Sequence, residues 1–171
     1  MERLRKLVFL SLLVSLGLAL SIIESMIPLP FAMPGMKLGL ANMVCLITLV
    51  IFGPKEAFVV AILRSLTFAL ATGSISGLFY SLTGAVLSTI IMSLVYVYFS
   101  NYFSLIGVSI FGAIFHNIGQ ISAASIIMEN VKIFSYLPVM TLVSLFTGYF
   151  VGLGSILTTK NLRENMSRIA G

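Results

Sequence analysis

The chain has 171 residues, 59% of them apolar and only 9% charged, with a mean hydropathy of +1.14. A water-soluble domain carries roughly 25% charged residues, so this chain has too few to cover a solvated surface. Its net charge is +5, but the basic residues collect near the chain ends rather than in one stripe, which argues against a nucleic-acid groove and for membrane topology.

Met1, Glu2, Arg3, Leu4, Arg5 and Lys6 make a short basic collar. The apolar run over 7–27 is too long for the core of a cleaved leader, and comparable runs follow it, so it is expected to be the first of several spanning helices. Within it Ser11, Ser15 and Ala19 recur at steps of four. That spacing aligns three small side chains on one ridge, where another helix can approach closely, either inside the bundle or from a partner protein.

The stretch 28–42 reads Pro-Leu-Pro-Phe-Ala-Met-Pro-Gly-Met-Lys-Leu-Gly-Leu-Ala-Asn. Its prolines and glycines stop one helix and shape a turn before the next. The second span is predicted over 36–52 and ends at Gly53-Pro54, a stop followed by a favoured helix start. The third covers 55–71 and carries Arg64 near its middle. A break of small residues, 71–77, precedes the fourth span over 76–99, which has its own narrow ridge of Gly77, Ser81, Ala85 and Thr89. Tyr96, Tyr98 and Tyr102 gather at its end, as aromatic rings do at the headgroup region. The fifth span, 104–128, is the most polar, with His116, Asn117 and Gln120, and Glu129 and Asn130 at its exit. The sixth, 133–157, contains Pro138 and a GxxxG spacing at Gly148 and Gly152, a weak packing signal by itself. A basic tail with Lys160, Arg163 and Arg168 follows.

The expected fold is therefore an all-α integral membrane protein, one six-helix transmembrane domain over residues 1–171, multi-pass in the cell membrane. Placing the N-terminus inside puts Arg3, Arg5, Lys6, Lys55, Lys160, Arg163 and Arg168 on the cytoplasmic face and leaves only Lys37 and Lys132 outside, a positive-inside bias. Both termini are then cytoplasmic and the 28–34 turn faces outward.

On that topology Glu24, Lys37, Asn42, Arg64, His116, Asn117 and Gln120 fall mainly in the outer half of the membrane, from four different spans. Ionisable groups in lipid are costly unless they gain a partner, water or a ligand, so their shared depth points to a binding cavity under the proline-rich turn. The competing reading is a buried network, with Arg64 paired to Glu24 or Glu129, that only pins helices together. Cys45, the single cysteine, reads as a packing residue.

Enzyme motifs are absent. The chain has no aspartate, so it lacks the paired acids that hold magnesium in a polyprenyl diphosphate synthase. One histidine and one cysteine do not make a zinc site, and no phosphate-cradling loop is present. No metal and no cofactor are expected, and binding is favoured over catalysis.

Three stretches carry a resemblance. They are Pro-Gly-Met-Lys-Leu-Gly-Leu-Ala-Asn at 34–42, Leu-Arg-Ser-Leu at 63–66 with Gly73-Ser74 and Tyr80-Ser81-Leu82, and Gly-Ala-Ile-Phe-His-Asn-Ile-Gly-Gln at 112–120. Together they resemble the Gx transporter family, also labelled heptaprenyl diphosphate synthase component I, over about residues 7–157. That family is similar to the substrate-binding S components of energy-coupling factor (ECF) vitamin transporters. The resemblance implies an S-component-like bundle, an outward pocket with the first outer loop as lid, and partners: a transmembrane coupling subunit and two ATPases. Ser11, Ser15 and Ala19 match, loosely, the small-residue docking ridge of such proteins. The expected cargo is a small organic molecule, a vitamin or an isoprenoid or quinone precursor. Lys37, Arg64 and His116 would meet its anionic or acceptor-rich part, Asn42, Asn117 and Gln120 would orient it, and Glu24 would hold an amine or pair with a cation. The alternative is a non-catalytic membrane subunit that assists polyprenyl diphosphate synthesis.

Overall fold

The computed structural model describes residues 2–27, 37 and 39–170. Among these the chain is all-helical, with six α-helices and no strand: α1 (Glu2–Ser25), α2 (Asn42–Phe52), α3 (Pro54–Thr72), α4 (Ile75–Tyr98), α5 (Leu105–Ile127) and α6 (Leu137–Ala170). A 3-10 segment, Val131–Tyr136, leads into α6. Four helices are long and apolar enough to cross a membrane: α1, α4, α5 and the stretch Val131–Leu162 that includes most of α6. At 11 residues α2 is too short to do so, and α3 carries Lys55, Glu56 and Arg64. The 28–34 turn, the expected lid, lies outside the described residues.

Local chemistry explains most boundaries. Pro54 opens α3 in the position where its missing N–H costs nothing. Gly73 closes α3 in the left-handed conformation (φ 67°), its N–H bonded to the Ala69 carbonyl, a conformation that costs a residue with a β-carbon more. Ser74 and Ser104 then cap α4 and α5 by accepting the N–H of Gly77 and Gly107. Three helices differ from expectation: the first already begins at Glu2 rather than 7, and the sixth starts at Leu137 rather than 133. The second helix begins at Asn42 rather than 36, and α6 runs well past 157, because charge marks where an apolar segment stops, not where a helix does.

The most extensive packing joins α4 to α5 and α5 to α6. Glycines let these backbones meet. A β-carbon on Gly119 would lie 2.8 Å from Gly84 Cα, and one on Gly152 only 2.6 Å from Ile106 Cα. The GxxxG spacing of α6 is thus a contact with α5. The ridge of Gly77, Ser81, Ala85 and Thr89 is buried within the bundle. Cys45 belongs to the central core with Leu46, Leu49, Ala57, Ala61 and Val108.

The first helix packs on α2 and α3 at the edge of the bundle. Its inward face is Leu13, Gly17, Ser21 and Glu24, all buried, whereas Ser11, Ser15 and Ala19 are exposed. The small-residue ridge therefore lines no internal contact. At the other end of α1, Lys6 pairs with Glu56 at the start of α3 (2.5 Å), so the two helices run in the same direction.

Candidate functional site

Six of the seven expected polar residues come together where the C-terminal end of α1, the chain at 37–41, the start of α2, and the middles of α3 and α5 meet. Glu24, Lys37, Asn42, Arg64, His116 and Gln120 are each at most 4% exposed.

The cluster is assembled from the backbone outward. Gly39 takes a left-handed conformation (φ 87°), which breaks the apolar run that otherwise reads as a continuous helix. Its N–H and that of Leu40 both donate to Glu24 Oε1. The carboxylate thus ties the end of α1 to the entry of α2, satisfying donors that a helix start leaves free. A β-carbon on Gly39 would lie 3.1 Å from Asn42 Nδ2 and 3.7 Å from the His116 ring, so the backbone here covers both side chains closely.

The Lys37 N–H donates to Gln120 Oε1 at 3.3 Å. That leaves the Gln120 NH2 group facing His116 Nε2, 3.0 Å away. The imidazole nitrogen must then accept, so the ring is neutral with its proton on Nδ1. Lys37 Nζ lies 3.0 Å from the centroid of the Phe68 ring, a cation–π contact. Arg64 reaches the cluster from α3 along Gly17, where a β-carbon would fall 2.6 Å from Arg64 Cδ. Its Nη1 donates to Ser21 Oγ at 3.0 Å.

These groups act on one another electrostatically: Arg64 and Lys37 both lie within range of Glu24 and of His116. Yet among the described residues neither cation makes a direct ion pair with Glu24, and the buried pairing of Arg64 with Glu24 or Glu129 is not formed. Among the described residues several buried side-chain atoms have no hydrogen-bond partner: in the cluster Glu24 Oε2, Lys37 Nζ, both amide atoms of Asn42, and Arg64 Nε and Nη2, and away from it Asn117 Oδ1 and the hydroxyls of Ser88, Ser93 and Ser109. Such atoms normally cost about 1–3 kcal/mol each, and most of those described gather here, which makes this cluster the candidate site.

Asn117 stands apart. It faces α6, donating to the Met140 carbonyl (3.0 Å) and to Ser144 Oγ (2.5 Å). Sequence reasoning missed Ser21, Gly17, Gly39 and Phe68. The first two share a four-residue period with Leu13 and lead to Glu24, a signal as regular as the neighbouring ridge of Ser11, Ser15 and Ala19. Two surface grooves on α4, one shared with α5 and one with the start of α3, are lined mainly by apolar side chains and gather no charged group.

No curated protein and no solved structure matches the chain. The family described as heptaprenyl diphosphate synthase component I matches residues 13–157. That span contains every member of the buried cluster and all of α2 to α5. The chain belongs to the heptaprenyl diphosphate synthase component I family.

Proposed function

We propose that this protein is the membrane-embedded substrate-binding subunit of an ECF-type transporter and takes up a small organic molecule. In this reading the fold is an S-component-like bundle with both termini in the cytoplasm, forming one domain. The observation that carries it is the convergence of Glu24, Lys37, Asn42, Arg64 and His116 from separate elements, buried and with polar atoms left unpartnered. Asn117 uses both N–H donors of its amide on α6 and leaves only its Oδ1 over. Glu24, Lys37, Asn42 and Arg64 leave more of their polar atoms without a protein partner. Their position at the end of α1 nearest the proline-rich turn suits a site that loads from outside. The exposed ridge of Ser11, Ser15 and Ala19 suits docking to a transmembrane coupling subunit, which would be driven by ATPases because this chain has no nucleotide loop of its own.

The test is ligand-induced thermal stabilisation across vitamins and isoprenoid precursors. With no tryptophan in the chain, unfolding is read with a thiol-reactive fluorogenic maleimide at Cys45, which is buried in the fold. A compound that stabilises the wild type is expected to lose its effect on Arg64→Ala. Equal responses from both proteins would count against this site.

The family description favours a second reading, a non-catalytic membrane partner of a polyprenyl diphosphate synthase. It predicts co-purification with a soluble, aspartate-rich synthase and a change in its product length. The absence of aspartate from this chain leaves any metal-dependent chemistry to that partner.

A further inference from the structure

We infer that Glu24 is a positioning residue of this site: through the backbone of Gly39 and Leu40 it sets where α2 begins and where Asn42 stands, and it does so as a hydrogen-bond acceptor, not as a charge. The inference rests on the substrate-binding reading above. It separates the residues that hold the frame of the cluster from those left to meet the ligand.

The path runs bond by bond. Glu24 Oε1 accepts the N–H groups of both Gly39 and Leu40, the second at 3.2 Å. The carbonyls of the same two residues accept the N–H groups of Asn42 (2.9 Å) and Met43 (3.0 Å), the first two residues of α2. A helix start leaves such N–H groups without intrahelical partners, and the side chain just before the helix commonly accepts one of them. Ala41 stands there and has no oxygen to do so. The turn at Gly39 and Leu40 caps α2 in its place, and Glu24, from α1, holds the turn. Gln120 adds a second grip from α5, its Oε1 accepting the Lys37 N–H at 3.3 Å. What this segment positions lies against it: a β-carbon on Gly39 would fall 3.1 Å from Asn42 Nδ2. Neither amide atom of Asn42 has a hydrogen-bond partner among the described residues, so the backbone, not the side chain's own bonds, fixes where that amide sits. Accepting two N–H groups needs an oxygen and no formal charge. A glutamine at 24 offers one, and the two donors select the orientation of its amide that presents it. A carboxylate that held an amine or a cation of the ligand could not be replaced in that way.

The experiment measures backbone hydrogen exchange in the full-length protein by mass spectrometry, resolved to single residues over 37–43. It is paired with the Cys45 unfolding assay on the same vitamins and isoprenoid precursors. Glu24→Met keeps a side chain of similar length and removes both oxygens. It is expected to speed exchange at Gly39, Leu40, Asn42 and Met43 by at least about tenfold, the scale of losing one or two hydrogen bonds, while α5 exchanges as in the wild type. A compound that stabilises the wild type is expected to lose its effect on Glu24→Met. Glu24→Gln is expected to rescue both the slow exchange and the response to that compound. Wild-type exchange at Gly39 and Leu40 in Glu24→Met would overturn the inference, and so would fast exchange there in Glu24→Gln. Slow exchange in Glu24→Gln without a ligand response would also overturn it, because the carboxylate itself would then touch the ligand. An undiminished ligand response in a fast-exchanging Glu24→Met would remove the positioning role. If Glu24→Met unfolds throughout, with α5 exchanging fast as well, Glu24→Gln alone decides. If no compound stabilises the wild type, the substrate-binding reading fails on this panel, while the exchange rates still decide whether Glu24 holds the start of α2.

Discussion

Among single residues, Arg64 is the one on which the proposed binding role rests most. It is among the most deeply buried side chains described, lying along Gly17 with Ser21 as its one hydrogen-bond partner among the described residues. A guanidinium so placed weakens the empty protein: two nitrogens without a protein partner each cost about 1–3 kcal/mol, and among the described residues Arg64 makes no direct ion pair whose loss would offset that. Arg64→Met is therefore expected to raise the stability of the unliganded protein by about 1–3 kcal/mol while abolishing stabilisation by ligand. A helix-pinning role predicts the opposite sign, with Arg64→Met unfolding at a lower temperature than wild type. Thermal unfolding at Cys45, with and without ligand, reads both effects. Arg64, His116 and Gln120 were legible in the sequence because polar side chains stand out in an apolar run. Gly17 and Ser21 were not. A glycine and a serine in a membrane helix are ordinary, and only the approach of Arg64 gives them a task.

Helices were legible to the degree that their ends are written locally. The third, fourth and fifth predicted spans match α3, α4 and α5 within a residue at each end, because Pro54, Gly73, Ser74 and Ser104 mark those ends with their own backbone chemistry. The start of α2 was not legible. Residues 37–41 are mostly apolar, and what breaks the helix there is Glu24, thirteen positions before Lys37, drawing the N–H groups of Gly39 and Leu40 onto its carboxylate. Gly39 permits the break with its left-handed backbone, but the carboxylate that fixes it comes from another helix. Small residues have the same ambiguity at this scale: Ser11, Ser15 and Ala19 are exposed while the equally regular Gly77, Ser81, Ala85 and Thr89 are buried. Two glycines of α6 separate packing from mere presence. A β-carbon at Gly152 would meet the Ile106 backbone at 2.6 Å, whereas at Gly154 it would meet only the Met43 sulfur at 2.9 Å. Backbone does not yield without moving α5; a methionine tip does. Gly152→Ala is expected to destabilise by about 1–3 kcal/mol. Gly154→Ala is expected to be neutral or to gain up to about 1 kcal/mol from helix propensity. Matching losses from both, measured by thermal unfolding in one detergent, would show that α6 does not rest on α5 through Gly152.

For the whole molecule the decisive question is which way the bundle faces, because a site that loads from outside requires the cluster end of α1 to be the outer end. Lys6 and Glu56 mark the opposite end of α1 and α3, and the sequence places Arg3, Arg5, Lys55 and Lys160 at that same end. Cytoplasmic segments hold the excess of Lys and Arg, so that end is proposed to lie in the cytoplasm. The 3-10 segment that joins α5 to α6 then lies outside. Ser135 within it and Asn161 near the far end of α6 are both exposed, and each offers a position for a cysteine. Cys45 is fully buried and supplies little background in the folded protein. In intact cells a membrane-impermeant maleimide is expected to label Ser135→Cys and to spare Asn161→Cys until the membrane is opened. The reverse pattern would turn the cluster toward the cytoplasm. A site facing that way opens to the compartment where polyprenyl diphosphates are made, so the reversed labelling would favour the synthase-partner reading over uptake. The two readings thus differ in a property that requires no knowledge of the ligand.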